Sequence, residues 1–391
     1  MTQVWNGASV TRLMPTLESV DLLAMVEEMA AREIAPRAGD DEATATFPRD
    51  VLRTLGGLGI LGLPFDEAYG GSAQPYEVCL QVLEELARAS MVIGVSVSVH
   101  WLACFPLANF GSVEQRERWL PDMVGGELLG GYCLSESHSG SDAAALSTRA
   151  VRTADGYRVT GTKAWITHGG RADFYSAMVR TSDEGPRGIS CLLVDAASDG
   201  LSSAPPERKM GANSSPTAQL LFADVAVDRD RLIGDEGTGF TVALAALDAG
   251  RLGIAACSVG LAQAALDAAV AYAGTRQQFG RPIADFQGVS FLLADMATAV
   301  AGARALYLQA ARLKDAGQPF GTEAAMAKLM ASDAVMRVTT DAIQVLGGAG
   351  YTTDFPVERF FREAKALQIV EGTNQIQRMV IGRALQARPA R

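Results

Sequence analysis

The segment YRVTGTKAWIT, Tyr157–Thr167, decides the fold because it is a β-strand pattern in the middle of a chain with helical ends. β-Branched and aromatic residues dominate it, and the turn signal ADGY leads into it. The runs FYSAMVR, ISCLLVD and AQLLFADVAV follow with the same texture. Together these runs predict a β domain over residues 129–236, built as a barrel or a sandwich.

Both flanks of this region show helical periodicity. Leu23, Val26, Ala30 and Ile34 share one helical face, and residues 1–128 are predicted to form an N-terminal α-helical domain. After Gly237, Ala- and Leu-rich segments predict long helices at about 240–276, 285–316 and 322–346. These helices should pack as a bundle over residues 237–391. The predicted fold class is therefore mostly α with a central β domain.

Composition limits the possible partners. The 391 residues are 48% hydrophobic with a net charge of −10, which is typical of a soluble globular protein and argues against nucleic-acid binding. The five cysteines include no CxxC pair, and His100, His138 and His168 lack helical spacing, so no metal site is predicted. Reduced cysteines and a first segment without signal-peptide character predict a cytoplasmic protein.

One uncharged stretch, Ala89–Val113, is long enough to cross a bilayer. Ser96, Ser98, His100 and Asn109 interrupt it, and a lipid-facing helix would hold such side chains at a real cost. We interpret the stretch as a buried core helix and predict no membrane partner.

The segment GLGILG, Gly57–Gly62, matches the G-x-G-x-x-G pattern of dinucleotide-binding folds. It follows the helical run RDVLRTLG and leads into Leu63-Pro64, so the required strand-turn-helix context is missing. The glycines are better explained as the end of a helix.

Two segments of the β domain are candidates for ligand binding. In YCLSESHSGSDAAAL, Tyr132–Leu146, hydroxyls such as those of Ser139 and Ser141 suit a phosphate or polar heterocycle; an ordinary Ser/Gly turn is the alternative. Trp165 and Thr167 share one side of a strand and suit a flat, hydrogen-bonding ring. The alternative for Trp165 is burial in the β-domain core.

The C-terminal region adds charged and glycine-rich candidates. Asp248 and Arg251 lie three residues apart on a predicted helix, where they form either a simple ion pair or a ligand contact. Arg276 and the turn QVLGGAGY, Gln344–Tyr351, offer a cation, amides and close-approach glycines that suit a diphosphate.

The stretch LQIVEGTNQIQRMVIGR, Leu367–Arg383, places a carboxylate in the loop before a predicted helix. Thr373 is expected to cap this helix, whose inward residues are predicted to be Ile376, Val380 and Ile381.

Glu371 itself lies between the apolar pair Ile369-Val370 and Gly372. In a water-poor cleft, desolvation would raise its pKa and make it a base able to remove a carbon-bound proton. A solvated glutamate in a surface loop is the alternative.

Taken in order, these segments resemble the acyl-CoA dehydrogenase family, with the short-chain, butyryl-CoA type members most similar. The resemblance covers nearly the whole chain and is carried by PFDEAYGG, CLSESHSGSD, GTKAWITHGGRADF, ERKMGANSSPTAQLLFADVAV, LIGDEGTGF, LDAGRLGIAA, RQQFGRPIADFQGVSFLLADMA, QVLGGAGY and IVEGTNQIQR. It implies a helical N-terminal domain, a middle β domain and a C-terminal four-helix bundle. It also implies a homotetramer with FAD between the β domain and the bundle, partly contacted by a neighbouring subunit.

The resemblance also assigns site residues. Positions matching cofactor contacts are Tyr132, Leu134, Ser135, Ser141, Trp165, Ile166, Thr167, Arg276, Phe279, Gln287, Gln344, Gly347, Gly348, Thr373 and Gln375. Positions matching acyl-CoA contacts are Ser141, Asp248, Arg251 and Gly372. Glu371 matches the catalytic base of the commonest branch. The other branch places its glutamate where this chain has Gly250, which leaves Glu371 as the only candidate.

The implied reaction is FAD-dependent α,β-dehydrogenation of a saturated acyl-CoA to the trans-2-enoyl-CoA, as in fatty acid β-oxidation. Glu371 would remove the α-proton, FAD would accept the β-hydride, and an electron-transferring flavoprotein would take the electrons. The alternatives are a flavin oxidase or monooxygenase of the same fold, and an acyl-carrier-protein-linked dehydrogenase of secondary metabolism. Asn213 and Val370 differ from common family residues and are expected to border the acyl pocket. Trp101 is expected either to shorten that pocket or to fill the core.

Overall fold

The computed structural model describes residues 12–387, so the outermost ends of the first and last predicted domains lie outside the described residues. The first part of the chain is helical: α1 Leu17–Met29, α2 Ala38–Thr44, α3 Arg49–Gly57, α4 Tyr76–Ala89, α5 Met91–Phe110 and α6 Val113–Val124. Leu23, Val26, Ala30 and Ile34 are all buried, which confirms the predicted helical face. Gly59, with φ 78°, follows α3, so GLGILG ends a helix and follows no strand.

The middle of the chain forms one mixed sheet. Its strands are β1 Gly130–Cys133, β2 Arg149–Arg152, β3 Gly156–Thr167, β4 Phe174–Arg180, β5 Ile189–Asp195, β6 Leu201–Ser203, β7 Thr217–Asp228 and β8 Leu232–Ile233. They pair in the order β6-β7-β3-β2-β4-β5-β8, and β1 pairs in parallel with β4. Val159 and Phe222 share a core with Ala177 and Leu192, so the β3–β7 half faces the β4–β5 half as in a sandwich.

A bulge in β3 determines where Trp165 points. The β3–β7 register shifts between Lys163 and Ile166, and Trp165 has a φ of 62°. A one-residue shift exchanges the two faces of a strand. Beyond the bulge Ile166 is buried, whereas Trp165 is 62% exposed on the opposite face, the side of Thr167. The alternative of a tryptophan buried in the β-domain core is therefore wrong.

The last part of the chain is again helical. The helices are α7 Gly239–Thr275, α8 Gln287–Asp315, α9 Gly321–Leu346, α10 Val357–Leu367 and α11 Asn374–Ala387, and the hairpin β9 Gln277–Gln278 with β10 Arg281–Pro282 joins α7 to α8. The three long helices lie close to their predicted positions. α4 and α5 pack against α7, so the first and last helical regions share one apolar core.

Within residues 12–387, three helices have the length and apolar composition needed to cross a membrane: α5, α7 and α8. In the most apolar windows of α5 and α7, 83% and 72% of residues are buried inside the protein. α5 is therefore the buried core helix that the sequence predicted. Only 22% of the corresponding window of α8 is buried, and Phe291 on this helix is 60% exposed. α8 thus presents apolar side chains that this chain alone leaves uncovered.

Candidate active site

Glu371 lies in the short loop between α10 and α11. Both Glu371, with φ 54°, and Gly372, with φ 87°, adopt the left-handed backbone conformation, which is strained for the glutamate. The Thr373 hydroxyl accepts a hydrogen bond from the Ile376 N–H at 3.4 Å, as expected for a cap. The loop therefore turns sharply just before α11 and directs the glutamate side chain inward.

The inward face of α11 differs from the prediction. Ile376, Val380 and Ile381 are only half-buried, whereas the polar residues Asn374 and Gln377 are 4% and 0% exposed. The hydrophobic pattern failed here because hydrogen bonds to the preceding loop decide which face of α11 is buried. Sequence periodicity does not reveal such hydrogen bonds.

Glu371 is half-buried, and one oxygen of its carboxylate is fully enclosed. Its Oε2 has essentially no exposed surface and no hydrogen-bond partner among the described residues. Burial raises the pKa of Glu371 to about 7, although the nearby charges of Arg251 and Lys328 act in the opposite direction. The alternative of a solvated surface glutamate is therefore wrong. A carboxylate with this pKa can act as a base near neutral pH.

Gly250 of α7 forms the wall beside this carboxylate. A β-carbon at Gly250 would lie 3.0 Å from Oε2 of Glu371 and 3.3 Å from Cδ1 of Leu102. Any side chain at this position would therefore press on the Glu371 carboxylate and Leu102.

A cavity of about 270 Å³ begins at Gly250 and runs between α5, α7 and residues 64–69. Its lining includes Ser98, Trp101, Leu102 and Tyr76. Trp101 also belongs to the core, because it is 5% exposed and its Nε1 donates to the Leu61 carbonyl at 3.0 Å. Trp101 therefore does both: it lines the cavity and it packs in the core.

Asn213 does not border this cavity, contrary to expectation. Its backbone N–H and side-chain amide donate to the buried carboxylate of Glu42 at 2.6 and 2.9 Å. Neither Asn213 nor Val370 is part of the cavity wall. Asn213 instead ties the β domain to α2.

Arg251 and Asp248 form an ion pair near Glu371. Nη1 of Arg251 donates to Oδ1 of Asp248 at 2.5 Å, and Arg251 is 5% exposed. The Nε of Arg251 has no hydrogen-bond partner within residues 12–387. The ion pair predicted as one interpretation is present, and one buried N–H remains available to a ligand.

The Ser-rich loop after β1 is anchored by a pair that sequence reasoning missed. Nζ of Lys163 donates to Oε1 of Glu136 at 2.8 Å, and both side chains are almost fully buried. The other oxygen of Glu136 accepts from the N–H and the hydroxyl of Ser147. A lysine in a strand and a glutamate among serines were visible in the sequence, but the pairing of β3 with the loop after β1 was not.

The loop offers fewer free groups than predicted. The Ser139 hydroxyl is buried and donates to the Asp142 carbonyl at 2.7 Å, so this serine is not available to a ligand. Ser135 is half-buried and Ser141 is exposed. The Tyr132 hydroxyl, in contrast, is buried without a partner in the described part of the chain.

The remaining residues expected near the flavin are placed as follows. Leu134 is 8% exposed, and its carbonyl accepts from Lys163. The Ile166 side chain is buried in the β-domain core, which leaves only its backbone for a ligand. Thr373 is half-buried, and Gln375 is exposed in the first turn of α11.

The structure does not bring the residues expected to hold the diphosphate end of the cofactor close to Glu371. Arg276, Phe279, Gln287, Gln344, Gly347 and Gly348 are all exposed and lie at the end of α7, the start of α8 and the end of α9. These ends meet because α8 and α9 form an antiparallel pair, and Tyr272 of α7 packs against Phe355 beyond α9. At 1.5 Å per residue, Arg276 is roughly 39 Å along α7 from Gly250.

The sequence also missed the residues that hold the Glu371 loop. Gln377 Nε2 donates to the carbonyls of Glu371 and Gly372 at 3.2 and 2.8 Å. Lys328, fully buried on α9, donates to the Gly372 carbonyl at 3.0 Å. A lysine within the helical segment AAMAKLMAS was the one visible signal, because lysine is rarely buried.

Comparison with known proteins shows the family to which the chain belongs. Three profiles match: "Acyl-CoA dehydrogenase, N-terminal domain" over residues 16–127, "middle domain" over 131–225 and "C-terminal domain" over 237–386. The chain therefore belongs to the acyl-CoA dehydrogenase family, as its motifs predicted, and is an oxidoreductase of the FAD-dependent acyl-CoA dehydrogenase type.

Individual relatives resemble the chain over almost its full length. An acyl-CoA dehydrogenase of Bacillus subtilis (strain 168) is 44% identical over 95% of this chain and 98% of the relative. The structure of butyryl-CoA dehydrogenase from Megasphaera elsdenii matches with a TM-score of 0.94 at 38% identity, covering 96% of this chain and all of that one. A chain from the structure of an electron transferring flavoprotein of Acidaminococcus fermentans matches with a TM-score of 0.95 at 39% identity, covering 97% and 100%. The three-domain fold class is thereby confirmed.

Proposed function

We propose that this protein oxidises a short saturated acyl-CoA to its trans-2-enoyl-CoA, with Glu371 as the base that removes the α-proton. One observation carries the proposal. The buried Oε2 of Glu371 has no hydrogen-bond partner among the described residues and lies against Gly250, which itself lines a cavity large enough for a small acyl chain. The similarity to a butyryl-CoA dehydrogenase favours a short chain.

The backbone beside Glu371 supports the same chemistry. The N–H of Glu371 makes no hydrogen bond within residues 12–387, so it can donate to the thioester oxygen. A donor at that oxygen stabilises the negative charge that develops when the α-proton leaves. The dry surroundings of the carboxylate keep its basicity high. Arg251, with its free Nε, and Asp248 are proposed to contact the acyl-CoA together with Ser141 and Gly372.

FAD is the proposed cofactor, and the residues present fit it. The Tyr132 hydroxyl is buried without a partner, and Trp165 presents its indole outward beside Thr167, as a flavin platform requires. When bound, the flavin supplies the acceptor for the hydride from the β-carbon. The chain contributes the base and the donors around it.

The distance between the two groups of cofactor residues supports assembly of several subunits. Arg276 lies roughly 39 Å along α7 from Gly250, beyond the far end of this helix. A cofactor held at Tyr132 in one subunit would therefore use Arg276 of a second copy. The uncovered apolar side chains of α8 offer a surface for that assembly, proposed to be a homotetramer.

The proposed electron acceptor is an electron-transferring flavoprotein, a partner suggested by the family and by the Acidaminococcus fermentans structure. A cytoplasmic location is also proposed. All five cysteines are free and buried, which agrees with a reducing compartment.

The decisive experiment is anaerobic titration of the purified enzyme with butyryl-CoA and with longer and branched acyl-CoAs. We expect bleaching of the flavin absorbance with at least one of them. In Glu371→Gln the rate of bleaching should fall by about 10²- to 10⁴-fold. Glu363→Gln is the matched control, because Glu363 is another buried glutamate whose pKa is raised to about 7 by burial.

Two results would contradict the proposal. If no acyl-CoA bleaches the wild-type protein, acyl-CoA thioesters are excluded as substrates. If Glu371→Gln bleaches as fast as the wild type, the base is a different residue. Rapid reoxidation of the reduced flavin by oxygen would indicate an oxidase or monooxygenase. Reaction with acyl-carrier-protein thioesters alone would indicate the carrier-linked dehydrogenase.

A further inference from the structure

A buried cation lies next to the loop that carries the proposed base. Lys328 on α9 is 0% exposed, and its Nζ donates to the Gly372 carbonyl at 3.0 Å and to Oδ1 of Asn374 at 2.8 Å. Both acceptors are neutral, and no carboxylate of residues 12–387 pairs with Lys328 within ion-pair distance. A buried charge without a direct counter-charge is unfavourable for folding, so stability alone does not explain a lysine here.

The same loop is held by a second side chain that carries no charge. Gln377 donates to the carbonyls of Glu371 and Gly372, which fixes the two residues in their left-handed conformation. Gln377 and Lys328 thus bind the same carbonyl of Gly372 from α11 and α9. Both residues therefore hold the loop, but only Lys328 brings a charge to it.

We infer that Lys328 is a positioning residue that sets the base strength of Glu371 through its charge, while it shares the mechanical support of the loop with Gln377. The inference rests on the proposed role of Glu371 as the base. A cation near a carboxylate stabilises its ionised form, so Lys328 counteracts the effect of burial and holds the pKa of Glu371 below the value that burial alone would give.

The groups around Glu371 are consistent with this role. Arg251 approaches from α7, Lys328 from α9, and the hydroxyls of Tyr76 and Tyr132 from α4 and β1. Nη1 of Arg251 already lies 2.5 Å from Oδ1 of Asp248, and this ion pair weakens the effect of the Arg251 charge on other groups. Lys328 has no such pairing. Burial lowers the pKa of Lys328 to about 8, and Glu371 raises it, as mutual stabilisation requires.

Lys328 faces one further carboxylate, Asp333 on its own helix. Asp333 accepts hydrogen bonds from Gln368 and Asn374 and pairs with Arg378 of α11 at 3.0 Å. Its charge is therefore largely compensated by groups other than Lys328. The Glu371 carboxylate is the acidic group near Lys328 that lacks hydrogen-bond partners of its own.

The test compares Lys328→Met with Gln377→Leu. The rate of anaerobic flavin reduction by an acyl-CoA is measured between pH 5 and 10, about two units or more to each side of the wild-type midpoint. In Lys328→Met the midpoint should rise by about one unit, because a charge has been removed. In Gln377→Leu the rate should fall at every pH while the midpoint stays in place. Thr340→Ala, an exposed position on α9, should change neither.

A second readout does not depend on turnover. The melting temperatures of wild type and Glu371→Gln are compared across pH, and the pH at which the difference between them stops growing reports the ionisation of Glu371 in the folded protein. In the Lys328→Met background this pH should also rise by about one unit. If Lys328→Met does not fold, Lys328→Gln is used, since it retains an N–H donor for Gly372 but lacks the charge; the same rise is expected.

The inference is overturned if, in a folded Lys328 variant, the midpoint of the rate profile and the pH at which the stability difference levels off both match those of the wild type. Lys328 would then be only a structural support. Failure of the proposed function looks different, because no acyl-CoA would then bleach the wild-type flavin at any pH.

Discussion

Oε2 of Glu371 and the α-carbon of Gly250 approach so closely that a single methyl group between them would already be in tight contact. A β-carbon at Gly250 would lie 3.0 Å from the carboxylate oxygen. The side chain next to Gly250 therefore comes from the loop before α11, and a substituent on Gly250 would compete with it for space.

Gly250→Ala should therefore slow catalysis without harming the fold. The methyl group displaces the Glu371 carboxylate or Leu102, and misplacement of a reacting group by up to 1 Å lowers the rate by about 10- to 100-fold. Alanine in a helix interior is otherwise favoured over glycine by about 1 kcal/mol. Stopped-flow flavin reduction, flavin content and thermal unfolding measure the three effects. Gly274→Ala in the same helix, where no atom lies within 4 Å of the added carbon, should keep the wild-type rate. A wild-type rate in Gly250→Ala would contradict the proposed tight contact.

Glu371→Gln should stabilise the protein at high pH. The pKa of Glu371 is raised from 4.5 to about 7 in the folded state, so protonation stabilises the fold fully below pH 4.5. That stabilisation is lost as the pH rises through 7, when a buried charge must form. At pH 8 the glutamine variant should therefore be more stable, by on the order of 1–3 kcal/mol. Thermal unfolding between pH 5 and 9 measures the difference, which should shrink towards pH 5. Parallel curves for the two proteins would show that the carboxylate is solvated.

The buried pair of Lys163 and Glu136 should be needed to hold the loop after β1. Lys163 holds the pKa of the Glu136 carboxyl down to about 2, so this contribution to stability is present above pH 4.5 and lost as the pH falls through 2. Lys163→Met leaves Glu136 buried without its cation and should cost about 3–5 kcal/mol, with weaker flavin retention. The double variant Lys163→Met/Glu136→Leu should recover part of that stability. Denaturant unfolding and flavin content provide the measurements, and strictly additive effects would show that the two side chains do not interact.

Mixing of two inactive variants should restore activity. Arg276→Ala is expected to lose flavin, although Arg276 lies roughly 39 Å along α7 from Gly250. If each cofactor site uses Glu371 of one subunit and Arg276 of another, then co-refolded or co-expressed Arg276→Ala and Glu371→Gln subunits form some sites with both residues intact. About half of the sites in a mixed pair should then be active. Flavin content and acyl-CoA-dependent bleaching of the mixture are compared with each variant alone. A mixture no more active than its components would indicate that each subunit binds its cofactor alone.

The sequence by itself determined the order of the three regions, because helical and strand periodicity are local properties of the chain. It also identified Glu371, since a carboxylate between an apolar pair and a glycine is unusual, and the family motifs agreed with this position. The exact domain boundaries at 128/129 and 236/237, and the roles of the site residues, stay predictions.

Tertiary structure alone decided which groups meet. Burial of Glu371 against Gly250, the pairing of Lys163 with Glu136 and the contact of Lys328 with Gly372 each join segments far apart in the chain. The polar inward face of α11 and the bulge that turns Trp165 outward had no periodic signal either. Local patterns report which face of an element is apolar, whereas the desolvation and hydrogen bonding of a particular polar group depend on what packs against it in the folded protein.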